Sequence, residues 1–305
     1  HQINYVKELL WKHLKEINEK GELKNFSEGD KIASDTPGWL FLRFEDLFDY
    51  LHEHHLFSQY FTKQELQEVE NALKHYLEQL FSSRVKDGLI VNEKDETWMD
   101  AGFSTDFRDG ARIEIQTLTL AMLRLLEKLS GSEHTREKEL AKNVKSHFWN
   151  GKYLKDGSED ETIRPNIFIA YYAYPELLTK KEWEKCFDHA LPRLWLAWGG
   201  LSSIDAKHPL YTPHHTGENK QSYHRGDSWY WMNNLAALCM HRLNKKKYKK
   251  YVEKILKASS HEILYSGATG HHAELSSANE QTSEGCLAQA WSAAMYIEMV
   301  EEIFK

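Results

Sequence analysis

Residues 35–51 read DTPGWLFLRFEDLFDYL. Asp35-Thr36-Pro37 is a helix-start signature: a capping carboxylate, then a proline whose fixed φ suits the first turn and whose missing N–H costs nothing there. Behind it Trp39, Leu40, Phe44, Leu47, Phe48 and Leu51 recur at steps of three and four, the apolar stripe of an amphipathic helix. The same period extends outward in both directions. Residues 2–19 carry Ile3, Val6, Leu10, Leu14 and Ile17, with Gly21 as a stop. Residues 63–80 carry Leu66, Val69, Leu73, Tyr76, Leu77 and Leu80. Further helices are predicted near 111–129, 134–148, 165–174, 180–197, 227–243, 246–263 and 285–304. Period-two alternation is almost absent, so the fold class is all-α. The helices come in pairs, and three long polar loops separate them at 82–110, 199–225 and 264–283. Loops above roughly 15 residues in a compact domain are usually functional. Helical hairpins closing into a toroid would gather such loops at one end. An open α-solenoid is the structural alternative, but no fixed sequence period supports it.

Composition narrows the function. The chain has 305 residues, 41% hydrophobic and 28% charged, with only six prolines and sixteen glycines. Those values suit a globular protein with long helices and exclude collagen-like and wholly disordered classes. A net charge of -7 argues against a general phosphate-backbone binder, so no nucleic-acid partner is expected. No uninterrupted apolar run reaches membrane-spanning length. The start, His1-Gln2-Ile3-Asn4-Tyr5, has no basic or apolar leader pattern and no initiator Met. A trimmed chain, or one that begins mid-protein, and a cytoplasmic location are therefore expected. Cys186, Cys239 and Cys286 are odd in number and far apart, which reads as free buried thiols in a reducing compartment. Much of the aromatic content, ten Trp, fifteen Tyr and thirteen Phe, is expected to be core, and a surplus of Trp in a polar acidic protein also suits a cleft that stacks flat neutral rings.

Chemistry gathers in the three loops. The first ends Thr97-Trp98-Met99-Asp100-Ala101-Gly102. A carboxyl buried among apolar neighbours has a raised pKa and donates a proton near neutral pH. The bland reading of Asp100 is a helix cap, but the next helix is predicted only near Ala111. The third loop holds His271-His272-Ala273-Glu274-Leu275, then Glu280 and Glu284. It is either a solvated acidic loop or the source of a second carboxylate, as glycoside hydrolysis requires. The second loop ends Tyr223-His224-Arg225-Gly226-Asp227-Ser228-Trp229-Tyr230-Trp231. Trp229 and Trp231 suit a sugar face or core packing equally. Asp227 suits a helix cap or a third catalytic carboxylate. The pairs His54-His55, His214-His215 and His271-His272 are adjacent, and adjacent histidines do not converge on one metal as i, i+4 pairs do. No metal and no cofactor are expected. The run Lys245-Lys246-Lys247-Tyr248-Lys249-Lys250 reads as a solvated face at a helix start.

Together these segments resemble the amylo-α-1,6-glucosidase domain of glycogen debranching enzymes. The matches come in the family's order: Thr97-Trp98-Met99-Asp100-Ala101; Arg112-Ile113-Glu114-Ile115-Gln116; Arg164-Pro165-Asn166; Gly200-Leu201-Ser202-Ser203; Tyr223-His224-Arg225-Gly226 with Trp229 and Trp231; and Ala273-Glu274-Leu275 with Gly285-Cys286-Leu287-Ala288-Gln289-Ala290-Trp291-Ser292. Asn25-Phe26 and Asp35-Thr36 fit more loosely. The resemblance implies an (α/α)6 toroid over residues 1–305, read as the C-terminal part of a longer enzyme. It implies an inverting hydrolase that removes α-1,6-linked glucose at branch points of glycogen-like α-glucans, with Asp100 as general acid and Glu274 as general base. Glu114, Gln116, Arg164, Asn166, His224, Gln289 and Trp291 would line the glucose pocket, with Trp98, Trp229 and Trp231 positioning the sugar. The alternatives are a glucoamylase-like or trehalase-like exo-hydrolase, or a sugar-binding homologue without catalysis. The chain departs from the family at Arg225, usually Gln, at Asp227, usually Thr, and at Ser276-Ser277-Ala278-Asn279-Glu280, usually Pro-rich. The Arg-Asp pair of the family's first barrel helix has no match, so the toroid is expected to lack that helix within this chain.

Overall fold

The computed structural model describes residues 2–24, 31–132 and 135–305, so Asn25-Phe26 lies outside the described residues. The chain forms two compact units, residues 1–100 with 107–147, and residues 101–106 with 148–305.

The first unit contains α1 (Gln2–Lys15), α2 (Thr36–Glu53), the single turn α3 (Phe57–Tyr60), α4 (Lys63–Ser83), the two-residue strands β1 (Val85–Lys86) and β2 (Leu89–Ile90), α5 (Ile113–Ser130) and α6 (Thr135–Phe148). Pro37 lies in the first turn of α2 as expected, but the Asp35 side chain makes no capping hydrogen bond. α4 starts on a capping box, Thr62 with Glu65, of the kind worth about 1 kcal/mol. α5 is buried on every side from Ile113 to Leu123, as a helix at the centre of a core must be. α2 and α4 pack against it. Gly38 permits the close approach of α2, since a Cβ there would lie 2.6 Å from the Leu118 Cβ. The buried hydroxyls of Thr117 and Thr119 bond back to the Ile113 and Ile115 carbonyls, so α5 carries polar residues into the core without orphaned donors.

The second unit contains α7 (Asn166–Ala173), a 3-10 turn (Pro175–Leu177), α8 (Lys180–Leu194), β3 (Ser228–Trp229), α9 (Tyr230–Tyr265), β4 (Leu275–Ser276) and α10 (Ala290–Phe304). α9 is two helices run together. Asn244, at φ -160 and ψ 86, breaks it where the sequence predicts a gap between 243 and 246. The Asn244 side chain caps the second half by accepting from Lys247 N at 3.1 Å. α7, α8 and α10 all pack on α9, around a core that includes Phe168, Cys186, Phe187, Leu235, Met240 and Ile255. Lys247 of the basic run pairs with Glu184 and Asp188, and Tyr248 is buried between the exposed lysines.

Two predicted helix starts move, for one reason. β3 pairs antiparallel with β4, Ser228 opposite Ser276 and Trp229 opposite Leu275. Residues 284–289 add to the same ladder: Glu284 N donates to Leu275 O, Glu274 N to Cys286 O and Gln289 N to His272 O. Those backbone groups are therefore spent, and α9 begins at Tyr230 and α10 at Ala290 rather than at 227 and 285. Asp227 is accordingly not a cap; Trp229 occupies the N-cap position. Cys186 and Cys239 are buried as expected, but Cys286 is exposed on this ladder.

Candidate active site

In the second unit the short ladder places Glu274 beside the aromatic segment 223–231. Tyr223 Oη donates to Glu274 Oε1 at 2.7 Å, Cys286 N to Oε2 at 2.9 Å, and Gln289 Nε2 to Oε1 at 3.4 Å. Three donors from two segments, 223 and 286–289, fix the plane of a half-buried carboxylate. Such a carboxylate can accept a proton from a water molecule. Gly285 sits against it with φ +69, and a Cβ there would lie 2.2 Å from Glu274 Oε2. Gly285→Ala should therefore push the carboxylate aside. Activity is expected to fall by about 100-fold, the cost of a displacement near 1 Å; kcat measured beside a thermal melt checks it, and an active Ala variant would count against a catalytic Glu274.

Aromatic rings wall this carboxylate. His224 stacks on Trp229 at 5.1 Å and 11°. Tyr223 meets the same indole edge-on at 4.7 Å, and Trp229 Nε1 donates to Tyr223 O at 2.8 Å. Trp231 stacks on Trp291 at 4.9 Å, and Trp291 also meets Trp229 edge-on at 5.9 Å. Trp229 and Trp231 are 3% exposed, whereas Trp291 is 36% exposed, so Trp291 is the ring with a face to offer a ligand.

Arg164 and Asn166, on and before α7, are wholly buried. Arg164 Nη1 donates to the His224 carbonyl at 2.7 Å and Nη2 to Asp106 Oδ2 at 2.7 Å. Asn166 Nδ2 donates to Asp156 Oδ1 at 2.7 Å. Arg164 thus acts on the aromatic wall by holding its backbone. Arg225, the departure from the family pattern, shares Asp106 at 2.9 Å and also donates to the carbonyls of Ala101, Lys220 and Gln221. Burial alone would raise the Asp106 pKa, but the guanidinium groups of Arg164 and Arg225 hold it below the usual carboxylate range. Asp227, the other departure, is buried and bonded to His215 Nδ1 at 2.7 Å and Ser222 Oγ at 2.8 Å. Burial pushes its pKa up, and those two bonds partly oppose the shift. Tyr223, Asp106 and Asp156 escape the sequence reading of the site. Tyr223 stands inside a quoted motif, while nothing in the spacing of the two aspartates marks them.

In the first unit, Trp98, Met99 and Asp100 lie at the end of the first loop. Trp98 is 6% exposed and Met99 2% exposed, yet the Asp100 side chain keeps 33% exposure and pairs with Lys31 at 3.0 Å. The expected apolar burial therefore surrounds the residue but does not enclose its carboxyl. Glu114 is fully buried against Arg108, which also donates to Thr97 Oγ1 at 2.8 Å. Gln116 is clamped to the Ile90 backbone, accepting from its N–H at 2.9 Å and donating to its carbonyl at 2.6 Å. Asp35, read from sequence as a cap, is instead a buried carboxyl pushed up to about 7. Burial is the main cause, and repulsion from Glu114 and Asp100 adds to it, against its backbone and Trp39 hydrogen bonds.

Among the described residues no three His, Cys, Asp or Glu side chains gather to hold a metal ion. Nor is any described helix long and apolar enough to cross a membrane.

The helical scaffold and the family match place the chain in a class, the glycoside hydrolases of the all-α (α/α)6 toroid fold. The profile of the amylo-α-1,6-glucosidase family matches residues 7–298, and the chain belongs to that family. No curated protein matches the sequence. Solved structures share the fold at low identity. A family GH63 mannosylglycerate hydrolase from Thermus thermophilus, in complex with glucose, is 11% identical with a TM-score of 0.70, over 96% of this chain and 87% of that one. The same hydrolase with Tris and D-glycerate gives 10% identity and 0.67, over 97% and 87%. An uncharacterized conserved protein from the same organism gives 12% and 0.68, over 95% and 87%.

Proposed function

We propose that this hydrolase removes α-1,6-linked glucose from branch points of glycogen-like α-glucans by a single inverting displacement. The observation that carries the reading is Glu274, held by Tyr223, Gln289 and the Cys286 N–H beside a wall of tryptophans, in a chain of the amylo-α-1,6-glucosidase family. Asp100 is the general acid and gives its proton to the bridging oxygen as the C1–O bond breaks. Glu274 is the general base and takes a proton from the water whose oxygen forms the new C1–O bond. The product is β-glucose, and inversion requires carboxyl groups about 6.5–9.5 Å apart. Trp291 stacks on the sugar, with Trp98, Trp229, Trp231 and His224 shaping the pocket. Gln289 supplies polar lining, while the buried Glu114, Gln116, Arg164 and Asn166 support the segments around it from behind. Neither metal nor cofactor takes part. Glycogen-like substrate suits a cytoplasmic enzyme.

A second reading is a hydrolase of a short glycoside that carries a carboxylate, the type named by the mannosylglycerate hydrolases of the same fold. Lys31, 40% exposed at the Asp100 carboxylate, favours it. A substrate panel separates the two. Glucose released from isomaltosyl branches as the β-anomer, read by NMR within the first turnovers, is the expected result. Preference for maltose or trehalose would shift the assignment to a glucoamylase-like or trehalase-like enzyme, and preference for a glycosyl-glycerate to the second reading. Initial α-glucose would rule out inversion.

A further inference from the structure

Next to Glu274 lies a polar cluster centred on two buried side chains. Glu262, on the second half of α9, is 0% exposed, and His272, two residues before Glu274, is 1% exposed. His272 Nδ1 lies 2.6 Å from Glu262 Oε2. The Ala273 N–H donates to the same oxygen at 3.3 Å, and Ser283 Oγ donates to Glu262 Oε1 at 2.8 Å. One carboxylate therefore ties together both strands of the ladder that carry the base: 272–273 on one side of Glu274, 283 on the other.

The cluster also fixes the tautomer. Asn234 Oδ1 accepts from Ser259 Oγ at 2.7 Å, and Asn234 Nδ2 donates to the Ser292 carbonyl at 3.3 Å. Its nitrogen then faces His272 Nε2 at 3.1 Å, so Nε2 is the acceptor and the proton sits on Nδ1. His272 Nδ1 therefore donates to Glu262 Oε2. A buried carboxyl group held by hydrogen bonds alone is costly to make, and apolar packing of the same volume would serve stability as well or better. Its return is orientation. His272 O accepts from Gln289 N at 2.8 Å, and the Gln289 side chain reaches Glu274. Cys286 N, the other backbone contact of Glu274, lies three residues beyond Ser283 on the same strand.

We infer that Glu262 and His272 are positioning residues that set the aim of the Glu274 carboxylate. The inference rests on the reading of Glu274 as general base. Neither residue touches substrate; they act by fixing the two chain segments that hold the base.

A double-mutant cycle tests this, with α-glucosyl fluoride as substrate. Fluoride leaves without protonation, so the rate reports the base step and not the acid. Glu262→Gln keeps the volume and turns the carboxyl into an amide; His272→Asn keeps a donor of shorter reach. Each is expected to lower kcat by about 10- to 100-fold with KM within about twofold, the cost of a misaimed catalytic group. In a Glu274→Gln background the same changes should alter the residual rate by less than about twofold, because there is no base left to aim. An equal fold-loss in both backgrounds overturns the inference and makes the cluster merely structural. Undiminished kcat in both single variants also overturns it. If Glu262→Gln does not fold, His272→Asn and Ser283→Ala carry the same cycle from either strand. Failure of the base assignment is read separately: Glu274→Gln alone with the wild-type rate removes Glu274 from the base role whatever the other variants do.

Discussion

Asp100→Asn should reduce hydrolysis of a branched oligosaccharide by about 10²–10⁴-fold, the usual worth of a general acid. The amide has the carboxyl's shape but no proton of comparable acidity for the leaving oxygen. Lys31 Nζ bonds the Asp100 main-chain carbonyl at 3.2 Å as well as the carboxylate, so the loop keeps an anchor after substitution. Oligosaccharide affinity, measured by calorimetry, is therefore expected to stay within a few-fold. With α-glucosyl fluoride most of the lost rate should return. Full activity on the oligosaccharide would remove Asp100 from the acid role, and would direct attention to Asp35, the neighbouring carboxyl that carries a proton close to neutral pH.

Asp35 gives the largest expected effect on stability. Its pKa stands at about 7 in the folded chain against an ordinary value of 3.8. The sign follows from proton counts. Below both values the folded and unfolded forms are equally protonated. Between them the unfolded chain has released the proton and the folded chain still holds it. Stability therefore declines as pH rises through this window and levels off above the folded value. The gap corresponds to roughly 4 kcal/mol. Asp35→Asn removes the titration, so relative to wild type the variant should gain stability steadily from pH 4 to pH 7. Urea unfolding of both proteins across that range measures it. A stability difference independent of pH would show that Asp35 does not hold its proton in the folded state.

Both residues illustrate what the sequence can and cannot disclose. The helices are legible because their stripes are local. The positions of Phe44, Leu47, Phe48 and Leu51 suffice for α2, and the gap at 244 is visible as a lapse in period. The two-residue ladder of Ser228–Trp229 on Leu275–Ser276 is not, since two residues show no alternation; with it go the true starts of α9 and α10 and the use of Asp227. Asp35 reads as a cap from its neighbours alone; its burial in the tertiary fold, with added repulsion from Glu114 and Asp100, is what raises its pKa. Arg225 is visible as a departure from the family pattern, yet its partner Asp106 is more than a hundred residues away, and no spacing rule connects them. Glu274 stands out by resemblance; the local sequence leaves it among several loop carboxylates.

Asn244 joins two helices without an intervening loop, by one residue's torsion and one side-chain cap. The joint inside α9 has no slack to give: one added residue would rotate everything downstream by about 100° about the helix axis. Glu262 sits on that downstream half. The rotational phase of Glu262 relative to the first half of α9 is thus set by a single residue.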